Sequence, residues 1–153
     1  MKNYKDEHGN IYAYESDGSQ DSFIKDGLVP IKDEDLAVLQ APTNGQLLAQ
    51  LSAARKEQER KGVTVNGIRY AGDPGNRQAL QEAIAFMEDA GLTEFASWKD
   101  SDNAFHANHP LVDVSSAYRA IGERRAQLIA TEGEYAAQIT AGTLTDLGEV
   151  TWP

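Results

Sequence analysis

Gly62-Val63-Thr64-Val65-Asn66-Gly67-Ile68-Arg69-Tyr70 is the stretch that decides the fold. Val63, Val65 and Ile68 follow a period of two, and Asn66-Gly67 supplies the positive-φ residues of a tight hairpin turn. Immediately upstream the period is helical. From Asn44 to Lys61 the residues favour helix, Leu47, Leu51 and Ala54 share one stripe, and Gly62 suits the position just past a helix end. The second half of that helix, Arg55 to Lys61, contains no apolar residue. So polar a stretch predicts a solvated helix bridging two lobes.

Downstream, Asp73-Pro74 is a helix start with proline at its first position. Leu80, Ala83, Ile84 and Met87 form its stripe, widened by Phe86, and Gly91 stops it. Phe95, Trp98 and Phe105 flank Asp100-Ser101-Asp102-Asn103, which reads as a second hairpin or a tight loop. After Pro110, Asp113 reads as a helix N-cap. Val114, Tyr118, Ile121, Leu128, Tyr135 and Ile139 then recur at spacings of three and four, interrupted by Arg125 and Glu132. This predicts one long helix, or two broken near Gly133, ending at Gly142, with Leu144 to Pro153 as a short strand or ordered tail.

Upstream, Tyr4, Ile11, Tyr12 and Tyr14 lie among the turn formers Gly9-Asn10 and Asp17-Gly18-Ser19, and predict short strands. Phe23-Ile24 is a further short run closed by Asp26-Gly27, and Pro30 ends the region. Asp33 reads as an N-cap for a short helix carrying Leu36 and Leu39, stopped by Pro42. The expected class is α+β. Residues 1–41 form a small β-rich N-terminal lobe, 42–61 a charged linking helix, and 62–153 a C-terminal lobe of a β-hairpin plus helices.

The chain has 153 residues and a net charge of −10, which opposes binding to nucleic acid or to an anionic membrane surface. It contains no cysteine, so disulfides, thiolate zinc sites and cysteine nucleophiles are excluded. Met1 precedes Lys2-Asn3-Tyr4 rather than an apolar segment, and no apolar run approaches the roughly 20 residues of a membrane span. The expected compartment is a cytoplasm.

Asp100, Asp102, His106, His109 and Asp113 are of metal-ligating types, and a metal-dependent hydrolase using His106 and His109 is the remote alternative. Pro110 disfavours helix at His109, however, and the glutamate of a His-Glu-x-x-His motif is missing. The serines near these histidines lack a nucleophile elbow, and Gly72-Asp73-Pro74-Gly75 lacks the lysine of a phosphate loop. No catalytic residue, metal site or cofactor is expected, and the chain reads as a protein-binding module rather than an enzyme. Tyr4, Tyr12, Tyr14 and Phe23 are its candidate contact residues, unless they are simply the core of a small lobe. The rival surface is the helix face bearing Arg119, Arg124 and Arg125, which suits an acidic partner.

Ala54-Arg55, the Gly62–Tyr70 stretch, Gln78-Ala79-Leu80 and Trp98-Lys99-Asp100-Ser101-Asp102-Asn103, followed by a long helix, resemble a phage domain of unknown function, DUF4376. Its likeness covers about residues 48–142. Gly9-Asn10-Ile11-Tyr12-Ala13-Tyr14, Gly27-Leu28-Val29-Pro30-Ile31 and the ending Trp152-Pro153 are similar to phage tail-fibre assembly proteins. The resemblance implies a chaperone that assists a trimeric tail-fibre protein to fold or assemble in the host cytoplasm. In some relatives it stays on the virion tail, so the alternative is a structural component such as a tail-tip adaptor or fibre-bound cap.

Overall fold

The computed structural model describes all 153 residues, which divide into two units, Met1–Thr43 and Asn44–Pro153. In the first, β1 (Lys2–Lys5), β2 (Ile11–Tyr14) and β3 (Val29–Ile31) form an antiparallel sheet of order β2-β1-β3. The β1–β2 turn is organised by Asp6. Its Oδ1 accepts the backbone N–H groups of His8 and Asn10, both at 2.9 Å, and its Oδ2 accepts from the Asn10 amide at 2.8 Å. This is the local chemistry that makes Asp frequent in turns. The Asn10 side-chain hydrogen bond leads the causes that lower the Asp6 carboxyl to about 2.

Two expectations for this unit are corrected. Asp17-Gly18-Ser19 leads into a 3-10 turn, Asp21–Phe23, so Phe23-Ile24 is not a strand. The chain does not end its sheet before Pro30 either. Pro30 sits in β3, an edge strand opposite Tyr4, where a missing N–H is tolerated. The following helix, α1 (Asp33–Gln40), stops ahead of Pro42 as expected, but Lys32 is its N-cap and Asp33 opens its acidic first turn. Ile31 is the one buried residue of the unit.

The second unit comprises α2 (Asn44–Lys61), β4 (Val63–Val65), β5 (Ile68–Tyr70), α3 (Pro74–Asp89), β6 (Glu94–Lys99), β7 (Phe105–Pro110) and α4 (Leu111–Ala141). The quoted stretch is the β4–β5 hairpin, with Val65 opposite Ile68, and β6–β7 is a second antiparallel hairpin. The class is therefore mixed α+β, with small antiparallel sheets. At 31 residues α4 is about 46 Å long, and it runs unbroken through Gly133 to a left-handed Gly142. Asp113 does not cap it. The helix starts at Leu111 directly after β7, with Pro110 as N-cap, and Asp113 lies in the first turn where negative charge is favoured.

Two clusters form on α4. Its first half carries Val114, Ala117 and Ile121 against Tyr70 and Leu80, flanked by Ile68, Phe95 and Trp98. Its last turns carry Ile139 against Leu47, Leu51 and Leu144, with Leu147, Val150 and Trp152 of the tail packed on them. The tail is thus ordered, with a 3-10 turn at Leu147–Glu149, and Arg124 Nη1 donates to the Pro153 carbonyl at 2.7 Å. The expectation for α2 is corrected in one respect. The helix groups with the second unit, and although Lys56, Glu57, Arg60 and Lys61 of its charged half are exposed, Glu59 is only 7% exposed. The physical reason is that α4 breaks its own apolar stripe, at Arg125 and Glu132, to receive that charged face.

Two glycines let backbones meet at the end of α2. A Cβ on Gly62, whose φ is +68°, would lie 1.8 Å from the Tyr70 carbonyl oxygen, and one on Gly72 would lie 2.3 Å from that of Glu59. Gly67 has φ +80° but open space around it. Gly67→Ala is expected to cost about 1–2 kcal/mol from left-handed strain alone. Gly62→Ala adds overpacking and is expected to cost about 3 kcal/mol or more. Urea unfolding of both variants checks this, and equal losses would contradict the close approach.

Candidate functional site

The tyrosines singled out in the sequence share one face of the first sheet, because Tyr4 pairs with Tyr12 and Lys2 with Tyr14. Tyr4 and Tyr14 meet edge to face at 5.7 Å. The chain after β2 folds back over this face: Lys2 Nζ binds Asp21 at 2.7 Å and Lys25 Nζ lies 5.6 Å from the Tyr12 ring centre. Tyr12 donates its hydroxyl to Asp6 at 3.1 Å. All three tyrosines are half-buried. Phe23 is not among them; it sits in the 3-10 turn and is 71% exposed. Val38 is also exposed, at 75%, with Val29 and Leu39 less so.

The carboxylates and histidines of the β6–β7 hairpin do not converge. Asp100 Oδ1 accepts the backbone N–H groups of Asp102 and Ala104, at 2.8 and 2.9 Å, and its Oδ2 pairs with His106 Nε2 at 2.8 Å. That histidine is the main cause holding the Asp100 carboxyl below its ordinary range. Asp102 Oδ1 instead accepts Arg69 Nε and Nη2, at 2.8 and 2.7 Å, locking the turn to β5. His109 is 3% exposed, lies 2.6 Å from the Tyr70 hydroxyl and stacks on Trp98 at 5.7 Å. Nowhere do three His, Asp or Glu side chains gather as a metal-binding group.

Burial lowers the pKa of His109, helped by His106 and opposed by Asp113, and burial pushes the Tyr70 phenol up to about 12. A histidine depressed in the fold contributes full stability above its ordinary 6.5 and loses it as pH falls below that value toward the folded one. Stability in urea is therefore expected to fall as the pH drops below the ordinary histidine value of 6.5. His109→Gln, which keeps a hydrogen-bonding group near Tyr70, flattens that slope. A slope that His109→Gln leaves unchanged would assign it to other groups.

The site that the sequence reading missed lies where three helices meet. Glu59 of α2 has three arginine partners: Arg55, one turn back on α2; Arg125 Nε of α4, at 3.3 Å from Oε1; and Arg77 Nη1 of α3, at 3.4 Å from Oε2. Arg55 reaches on through Nε to Glu132 of α4, and Arg77 Nη1 also donates to the Gly72 carbonyl. Arg125 and Glu132 are seven residues apart, two turns of helix, and bracket Leu128, which is fully buried. The group borders a cleft of about 630 Å³. Arg55, Lys56, Arg60, Arg77 and Arg125 all line it, against three acids. Of those acids, Glu59 is committed to the arginines, Glu57 pairs with Arg60 at 2.9 Å, and Asp73 caps α3. A chain of net charge −10 thus carries one locally basic cleft.

The rival arginine face on α4 is divided rather than continuous. Arg124 is turned to the Pro153 carbonyl and Arg125 to Glu59, while Arg119 is exposed.

Fold and site together define a mixed α+β domain built on one long helix and tied by a buried ion cluster. The family described as "Domain of unknown function (DUF4376)" matches residues 42–151, and the chain belongs to that family. The match begins just before α2, in keeping with the helix being part of the domain. Neither a curated protein nor a solved structure matches the chain. No helix is long and apolar enough to cross a membrane.

Removing a buried charge leaves its partners uncompensated. Glu59→Ala is expected to destabilise the second unit by about 3–5 kcal/mol. Glu57→Ala, which breaks an exposed pair on the same helix, is expected to cost less than about 1 kcal/mol. Thermal and urea unfolding of the two variants separates a buried network from a solvated charged face.

Proposed function

We propose that the chain is a non-enzymatic assembly factor that binds a phage tail-fibre protein and assists its folding or trimerisation in the host cytoplasm. The observation that supports this reading is the state of the N-terminal unit. Over 43 residues it buries only Ile31, while Phe23, Val29, Val38 and Leu39 stay exposed. A unit so small is marginal without added apolar cover. A bound polypeptide supplies that cover, and aromatic anchors are the usual energetic centre of such contacts. Phe23 is the foremost anchor in this reading. Tyr4, Tyr12 and Tyr14 contribute their exposed edges and hold the sheet beneath it.

Co-expressing a tail-fibre protein of the same phage with and without this chain tests the proposal. The fibre is expected to be soluble and trimeric only in its presence; equal yield in both would refute it. Phe23→Asp in the full chain is expected to weaken fibre binding by about tenfold or more. As a surface change it should leave the melting temperature nearly unaltered. Unimpaired binding would move the contact away from the N-terminal unit.

A further inference from the structure

The arginine cleft of the second unit retains unused donors. A guanidinium offers five N–H bonds. Arg125 spends Nε on Glu59, while Nη1 and Nη2 have no partner in a side chain that is 45% exposed. Arg77 spends Nη1 on Glu59 and Gly72, leaving Nε and Nη2. These two guanidinium groups approach opposite oxygens of one carboxylate, so they are held as neighbours despite like charge. Lys56, exposed on the same wall, has no ion pair at all.

We propose that this cleft binds an acidic polypeptide segment, seating a side-chain carboxylate against Arg77 and Arg125 with Lys56 at the rim. Arginine presents paired donors matched to a carboxylate, and Glu59 and Glu132 already show the cluster accepting that group. A long nucleic acid is disfavoured because it needs an extended track of cations, whereas this basic patch is local and the whole chain is strongly acidic. The site is separate from the N-terminal unit, so it stands or falls independently of the fibre-binding reading.

Titrating the full chain with a fluorescent oligoglutamate peptide tests the site. Saturable binding is expected, weakening as salt rises. Arg125→Gln is expected to reduce affinity about tenfold, the loss of one charge-assisted hydrogen-bond pair. Arg119→Ala removes equal charge from the same helix outside the cleft and is expected to leave affinity unchanged. Should Arg125→Gln melt early, Lys56→Gln provides a variant with no internal partner to lose, and it too should bind more weakly. No saturable binding at low salt would overturn the proposal. So would an equal loss in Arg119→Ala, which marks bulk charge attraction. Complete displacement by equimolar inorganic phosphate would likewise overturn it, by making the cleft a small-anion site.

Discussion

A carboxylate taken out of water must be compensated, and Glu59 is compensated by three helices at once. Arg55 comes from its own helix, Arg77 from α3 and Arg125 from α4. Desolvating so many charges is costly, and an apolar cluster of the same volume could hold the helices as well. What the ionic cluster adds is selectivity of arrangement: α2 can satisfy Glu59 only where Arg77 and Arg125 both reach it. The backbone is tied at the same place, since the Glu59 carbonyl accepts the Gly62 N–H at 3.0 Å and lies against Gly72. The β4–β5 hairpin is thereby anchored to the end of α2.

Much of this was legible in the chain. The Asn66-Gly67 hairpin, the Asp73 cap, the second hairpin and the Gly142 stop follow from local rules that tertiary context left standing. The errors came where a local rule met a long-range partner. Arg55 to Lys61 looks solvated because periodicity weighs apolar residues alone, and charge buried by opposite charge carries no hydrophobic signal. The signal that was present lay elsewhere. Arg125 and Glu132 looked like flaws in the stripe of α4, yet they flank the buried Leu128 and reach Glu59 and Arg55 of α2. Two opposite charges two turns apart on an apolar face, with a mixed charge run elsewhere in the chain, mark a complementary pair of surfaces.

The candidate site in the first unit was legible only as composition. Alternation places Tyr4, Tyr12 and Tyr14 on one face, but it cannot tell which face the chain itself will cover. Lys2–Asp21 and Lys25–Tyr12 close the loop over that face, leaving the tyrosines half-buried. Phe23 was grouped with them by proximity in sequence, whereas its 3-10 turn leaves it far more open to solvent. Of the five-residue Asp and His group, the structure joins Asp100 and His106 as a hydrogen-bonded pair and directs the other side chains elsewhere. One aspartate shapes a turn, another grips Arg69, and His109 turns inward to Tyr70.

The two separate cores on α4 bear on how the second unit can come apart. One core holds the 31-residue helix at residues 114–121 and the other at residues 135–139, and an isolated helix of half that length is barely stable in water without a packed face. Melting one core therefore withdraws the helical platform from beneath the other. The unit should lose both in a single step, as a bridge with one continuous girder fails along its whole span.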